Sequence, residues 1–109
     1  MADLVIVGLR RGSADDEIWV IQLDKDPPKV EFGPLCFYGC KEEIIEIFGE
    51  RLGERILKAY EDGDLDRIRG EQALKILKAI DDYMDEWYGI ETNYLRRADE
   101  LIVYKLRRV

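Results

Sequence analysis

One amphipathic segment limits how this chain can fold: Glu71 to Gly89, EQALKILKAIDDYMDEWYG. Its apolar side chains recur at spacings of three and four residues, which is the period of an α-helix with one broad buried face. They are Ala73, Ile76, Leu77, Ile80, Tyr83, Met84 and Trp87. Gly89 stands where a helix commonly ends in the left-handed conformation. We therefore predict a helix over this segment that packs on strands from both sides of it in the sequence.

Apolar segments rich in β-branched residues flank this helix. Residues 3–9 and 17–23 predict two strands, and the short turn between them favours an antiparallel hairpin. Residues 29–32 add a short third strand before a Gly-Pro pair. Residues 90–95 and 100–106 predict a second hairpin at the end of the chain.

A second helix is predicted over residues 41–61, which carry another helical stripe of apolar residues. Gly49 and Gly53 lie inside it, and they indicate either a close approach of another backbone or a bend. The fold class is therefore α+β, with one domain over residues 1–109. We expect an antiparallel sheet of four or five strands, built from two flanking hairpins on a central pair of helices, in the order ββ(β)ααββ.

The simplest packing puts both helices on one face of the sheet. Alternation along the strands then directs Trp19, Ile21 and Leu23 towards the helices, together with Ile102, Tyr104 and Leu106. The outer face would keep four apolar side chains: Ile18, Val20, Leu101 and Val103. Monomers rarely expose so much contiguous apolar surface. We therefore predict a two-fold homodimer with these four residues at the dimer interface.

The polar composition is almost entirely ionic. The chain has one Ser, one Thr, one Asn, two Gln and no His, whereas charged residues make up 38% of it. Scarce amides and abundant charges are typical of hyperthermophile proteins, which favours an archaeal or archaeal-virus source. No apolar run approaches the roughly 20 residues of a membrane helix, and the first residues do not resemble a secretory signal. We expect a cytoplasmic protein with no membrane partner.

Two cysteines, Cys36 and Cys40, lie just before the first predicted helix. Either they form a local disulfide, which hyperthermophile cytoplasms permit, or they remain two buried thiols. An intermolecular bond is a third alternative. Two cysteines without histidine cannot complete a zinc site of about four ligands, so we expect no metal and no cofactor.

Catalytic patterns are missing from the sequence. General-base chemistry would have to come from carboxylates, Lys, Tyr or Cys, because there is no His. The single Ser has no partner for a triad, and neither glycine-rich phosphate motif is present. We expect a protein that is not an enzyme and has no catalytic residues.

An acidic patch closes the long helix: Asp81, Asp82, Asp85 and Glu86. Negative charge at a helix C-terminus opposes the macrodipole, so the patch is either a solvated face or a binding surface for a basic partner. An acidic chain with a net charge of −7 can also mimic nucleic-acid charge in the basic groove of a target.

Arginines occur in three pairs at predicted strand ends: Arg10 and Arg11, Arg96 and Arg97, Arg107 and Arg108. They either pair with nearby aspartates or converge as a local nucleic-acid-binding site. The sequence thus favours a small non-enzymatic protein-interaction module with an unknown protein partner. The alternative is a nucleic-acid-associated regulatory factor that contacts the phosphate backbone through these arginines.

Overall fold

The computed structural model describes residues 4–11, 16–36 and 41–106. Within these residues the chain forms five strands and three helices, in the following order: β1 Leu4–Arg11, β2 Glu17–Gln22, β3 Lys29–Cys36, α1 Lys41–Phe48, α2 Glu50–Glu61, β4 Leu65–Ile68, α3 Gly70–Tyr88 and β5 Leu101–Leu106. A short 3-10 turn, Ala98–Glu100, leads into β5. The predicted α+β class and the general order of elements are confirmed.

All neighbouring strands of the sheet are antiparallel, and their order is β3-β2-β1-β5-β4. The first three strands form a meander, as two short connections dictate. The last strand of the chain then inserts between β1 and β4. The centre of the sheet therefore joins the two ends of the sequence.

Helices cover both faces of this sheet. On one face α3 contributes Ile76, Leu77, Ile80 and Met84 to a core that includes Val7, Leu9, Trp19 and Ile21 from β1 and β2. On the other face α1 and α2, here called the α1–α2 layer, contribute Ile44 and Ile56 to a core with Ile6, Ile18 and Val20. The protein therefore has three layers, with the sheet in the middle.

The prediction of an exposed outer face is wrong, because the residues assigned to it are buried in the two cores of a single chain. Ile18 and Val20 are 2% and 0% exposed beneath the α1–α2 layer, and Leu101 and Val103 are buried on the opposite face beneath α3. Leu9 pairs with both Glu17 and Val103, so the odd-numbered residues of β2 and β5 share one face. Consequently Tyr104 and Leu106 lie with Ile18, and not with Trp19 as predicted. The homodimer stays a prediction, but these four residues are not available to form its interface.

The predicted strand over residues 90–95 is wrong as well, because its backbone is held by a side chain of α3. Asp81 accepts hydrogen bonds from the backbone N–H groups of Tyr94 and Leu95 at 2.8 and 3.0 Å, and from the Thr92 hydroxyl. These donors are thereby unavailable to a strand ladder. The neighbour of β5 on the side away from β1 is β4, a strand of four residues between α2 and α3.

The predicted helix over residues 41–61 is two helices, because Gly49 adopts a φ of 85° between α1 and α2. Gly53 then lies so close to α1 that an added Cβ would stand 2.8 Å from the Cα of Ile45. Both predicted roles of the two glycines are therefore present, a bend at one and a close approach at the other. The long helix runs over 70–88 and ends at Gly89 in the left-handed conformation, nearly as predicted.

One expectation falls outside what the structure describes. Cys40 and the side chain of Cys36 lie beyond the described part of the chain, so the disulfide alternatives stay predictions. For the described helices, none combines the length and the apolar character needed to cross a bilayer.

A buried carboxylate joins the sheet to the α1–α2 layer. Asp16 is 4% exposed and accepts hydrogen bonds from Arg10 Nε at 3.0 Å, from Arg10 Nη2 at 2.9 Å and from the Tyr104 hydroxyl. Burial alone would raise the pKa of Asp16, but the hydrogen bonds from Arg10, Tyr104 and Tyr60 of α2 outweigh it, and the pKa lies below its usual value. Burial and the bond to Asp16 raise the pKa of Tyr104, which keeps its proton. We call these four residues the Asp16 cluster.

Gly8 makes room for this cluster. It pairs with Tyr104 across the β1–β5 ladder, and a Cβ at Gly8 would overlap the Tyr104 ring. The ring therefore lies flat over the backbone of β1, where its hydroxyl reaches Asp16.

Replacing Gly8 by Ala should displace the Tyr104 ring and lower the free energy of unfolding by about 2–3 kcal/mol, because overpacking and the lost hydrogen bond both contribute. In a Tyr104→Ala background the same substitution should cost far less, since the ring is gone. Urea denaturation of the four proteins checks this. Equal costs in the two backgrounds would contradict the role assigned to Gly8.

Replacing Asp16 by Asn should cost about 2 kcal/mol at neutral pH, because a buried, charge-assisted set of hydrogen bonds is weakened. The folded-state pKa of Asp16 is lower than the unfolded value of about 3.9. Its contribution is therefore complete above about pH 4 and is lost as the pH falls through the folded-state pKa. Denaturation at a series of pH values should show the gap between wild type and variant closing below about pH 4. A gap that is constant across the acid range would show that Asp16 is not the titrating group.

Candidate interaction groove

A groove of about 760 Å³ runs between α3 and the loop that joins β2 to β3. On the helix side it is lined by Lys75, Lys78, Asp82, Tyr83, Glu86 and Trp87. The opposite wall is formed by Lys25, Asp26, Pro27 and Pro28 of the loop and by Lys29 and Val30 of β3. We call this feature the α3 groove.

The local sequence explains the positions of the two sides of the α3 groove. Two consecutive prolines, Pro27 and Pro28, cannot donate to a ladder, so the chain leaves the sheet between β2 and β3. The Nζ of Lys75 lies 3.3 Å from Asp26 Oδ1 and links the helix to this loop. On α3 the groove residues recur every three or four positions beside the buried stripe, as neighbours on one helix face do.

Aromatic rings line one end of the α3 groove. Tyr83 contacts the buried Trp19 edge-on at 5.9 Å between ring centroids, and it contacts Trp87 and Tyr88 at 6.1 Å each. These four residues are here called the aromatic cluster. Burial is the larger cause, and the neighbouring Tyr88 the smaller cause, of a raised pKa at Tyr83. Tyr83 therefore remains a neutral phenol. The cluster thus connects a core ring to rings at the surface.

Trp87 is exposed, although the helical stripe predicted it to be buried. Its exposed fraction is 69%, and those of Tyr88 and Ile90 are 55% and 49%. The buried stripe of α3 ends one turn earlier, at Met84. Periodicity assigns Trp87 to the core side, but it carries no information on how far the sheet extends beneath the helix.

The predicted acidic patch is divided by the structure. Asp82 and Glu86 line the α3 groove and Asp85 is exposed on the same helix end. Asp81 does not belong with them, because its carboxylate holds the backbone after α3. Asp82 accepts a salt bridge from Lys78 at 2.9 Å. Neither Asp85 nor Glu86 has an ion pair among the residues that the structure covers.

Of the paired arginines whose side chains the structure describes, Arg10 and Arg97 bind partners within the chain at separate places. Arg10 belongs to the Asp16 cluster, and Arg97 lies 5.8 Å from the Tyr94 ring and donates to the Thr92 carbonyl at 3.2 Å. Arg96 is exposed in the turn before β5. Arg107 and Arg108, which follow β5, and the side chain of Arg11 lie outside the described part of the chain. Two of the six arginines therefore have internal partners, and the convergence of all three pairs on one site stays a prediction.

Comparison with known proteins gives no relative: no family model, no curated protein and no solved structure matches this chain. A function cannot be carried over from another protein. The surfaces of the chain itself must therefore indicate what it does.

The two tryptophans should differ sharply in their contribution to stability. Replacing Trp87 by Ala should change the free energy of unfolding by no more than about 0.5 kcal/mol, as at other exposed positions. Replacing the buried Trp19 by Ala should cost about 3–5 kcal/mol. Denaturant titrations of both variants check this. A large loss from the Trp87 variant would mean that the indole supports the core.

Proposed function

We propose that this protein is a non-enzymatic interaction module that holds a segment of a partner protein in the α3 groove. The observation that carries the proposal is the 69% exposure of Trp87, which lines a concave surface. Aromatic side chains bury about 150–250 Å² each in an interface, and Trp is enriched among the residues that dominate binding.

Scattered apolar residues on a surface need no explanation, but Trp87 and Tyr88 both contact Tyr83 and so form one group. Trp87, Tyr88 and Ile90 are all exposed at one helix end, and Tyr83 beneath them rests on Trp19. An aromatic ring that is already held in place loses little conformational entropy on binding. The α3 groove is therefore an ordered surface on which a partner can bury apolar area.

Charge supports a protein partner over nucleic acid. The net charge of −7 opposes a large phosphate footprint, and Arg10 and Arg97 are held by partners within the chain. We further propose that the module acts in the cytoplasm of a hyperthermophile, archaeal or viral in origin. Its ionic composition, without His and with one Asn, supports that setting.

The test is partner capture with matched surface variants. Immobilised wild-type protein, Trp87→Ala and Leu74→Ala are incubated with a hyperthermophile extract, and bound proteins are quantified. Leu74 is the control, because it is 44% exposed on the same helix but does not line the α3 groove.

Wild type and Leu74→Ala should retain the same partner, whereas Trp87→Ala should lose it by about tenfold or more, as expected for an interface hot spot. Identical capture by all three proteins would contradict a role for the α3 groove.

A further inference from the structure

We infer that the Trp87 end of the α3 groove receives an arginine side chain of the partner segment. This inference rests on the proposed function and names the group that the groove recognises. Three physically different sources of negative potential meet at this end: carboxylates, the carbonyl end of a helix, and the faces of aromatic rings.

The carboxylates come from the last two turns of α3. Glu86 lines the groove and Asp85 is exposed beside it, and within the described residues neither makes an ion pair. A carboxylate without a cation, such as that of Glu86, favours a positively charged ligand.

The end of α3 adds to this field. The helix stops at Tyr88, Gly89 closes it, and its last turn carries no basic residue. The carbonyl end of a helix is equivalent to roughly half a negative charge. Most helices balance it with a lysine or arginine, and here the chain supplies acids instead.

The ring faces make the third contribution. The ring centroids of Trp87 and Tyr83, which both line the groove, lie 6.1 Å apart, and the indole of Trp87 is largely exposed. The face of an aromatic ring is negative, and Trp attracts cations more strongly than Tyr or Phe. A cation over Trp87 would therefore also lie beside the carboxylate of the preceding residue, Glu86.

Arginine fits this arrangement better than lysine does. A guanidinium is planar, so it can stack on the indole while its edge donates two hydrogen bonds to one carboxylate. An ammonium group is a compact, strongly hydrated charge that cannot do both.

The opposite end of the groove differs in character. There Lys75 is held by Asp26 at 3.3 Å, and Lys78 is held by Asp82 at 2.9 Å. Lys25 and Lys29 line the groove as well, without an ion pair among the described residues, and these four lysines repel any further cation. The groove therefore fits a segment with one cationic side chain at the Trp87 end, and not a long basic tract.

The test uses three labelled nine-residue peptides of glycine and proline around one central residue. That residue is arginine, lysine, or citrulline, which keeps the shape of arginine without its charge. Fluorescence anisotropy measures binding to wild type, Glu86→Gln, Trp87→Ala and Glu91→Gln. Glu91 is an exposed acid beyond the helix that does not line the groove, so it is the matched control.

We expect the arginine peptide to bind wild type about tenfold more tightly than the citrulline peptide, and more tightly than the lysine peptide. Glu86→Gln and Trp87→Ala should each remove most of this preference, and Glu91→Gln should retain it.

Several results would overturn the inference. One is equal affinity for the arginine and citrulline peptides, which would leave the proposed function standing if Trp87→Ala still weakened both. Another is an arginine preference that survives both groove variants, which would indicate attraction by net charge alone. No binding of the arginine peptide at millimolar concentration would also overturn it, and partner capture by the Trp87→Ala variant would then decide the proposed function separately.

Discussion

Two apolar faces on one sheet are the constraint on which this structure depends. The central strands β1 and β2 carry buried side chains on both sides, among them Val7, Trp19 and Ile21 towards α3 and Ile6 and Val20 towards the α1–α2 layer. A strand of this kind is stable only when both faces are covered. The chain meets this need by itself, with one long helix on one side and two shorter helices on the other.

Two consecutive acids at the start of β2 tie these layers together. Asp16 is bound by Arg10 and Tyr104 and reaches Tyr60 of α2. Glu17 accepts hydrogen bonds from the Tyr94 hydroxyl at 2.7 Å and from Trp19 Nε1 at 3.4 Å, on the α3 side. Buried carboxylates stabilise only when they are fully hydrogen-bonded, so each acid fixes the position of its partners. The sheet is thereby fastened to the α1–α2 layer through Asp16, and through Glu17 to Tyr94, whose backbone is bound by Asp81 of α3.

Local pattern predicted the elements whose cause is local. Neighbouring residues in the sequence were sufficient to predict the helix over residues 71–89, the glycine that ends it and the first hairpin. What failed depends on distant contacts. The face that Val103 occupies is set by its pairing with Leu9 on β1, and the strand over 90–95 is prevented by the carboxylate of Asp81. Trp87 is likewise exposed because the core beneath α3 ends before it, and the helical period of the sequence does not show where that core ends.

The two tryptophans of the chain differ in role: one packs in the core, and we propose that the other binds a partner. Trp19 is fully buried and donates its indole N–H to Glu17, whereas Trp87 is largely exposed at the α3 groove. The most direct measurement is hydrogen–deuterium exchange of the two indole N–H groups by NMR. We expect one indole proton to exchange before the first spectrum and the other to persist as long as the most protected amides of the sheet. Protection of both indoles would mean that Trp87 belongs to the core or to an interface between copies, and it would contradict an open recognition surface at the end of α3.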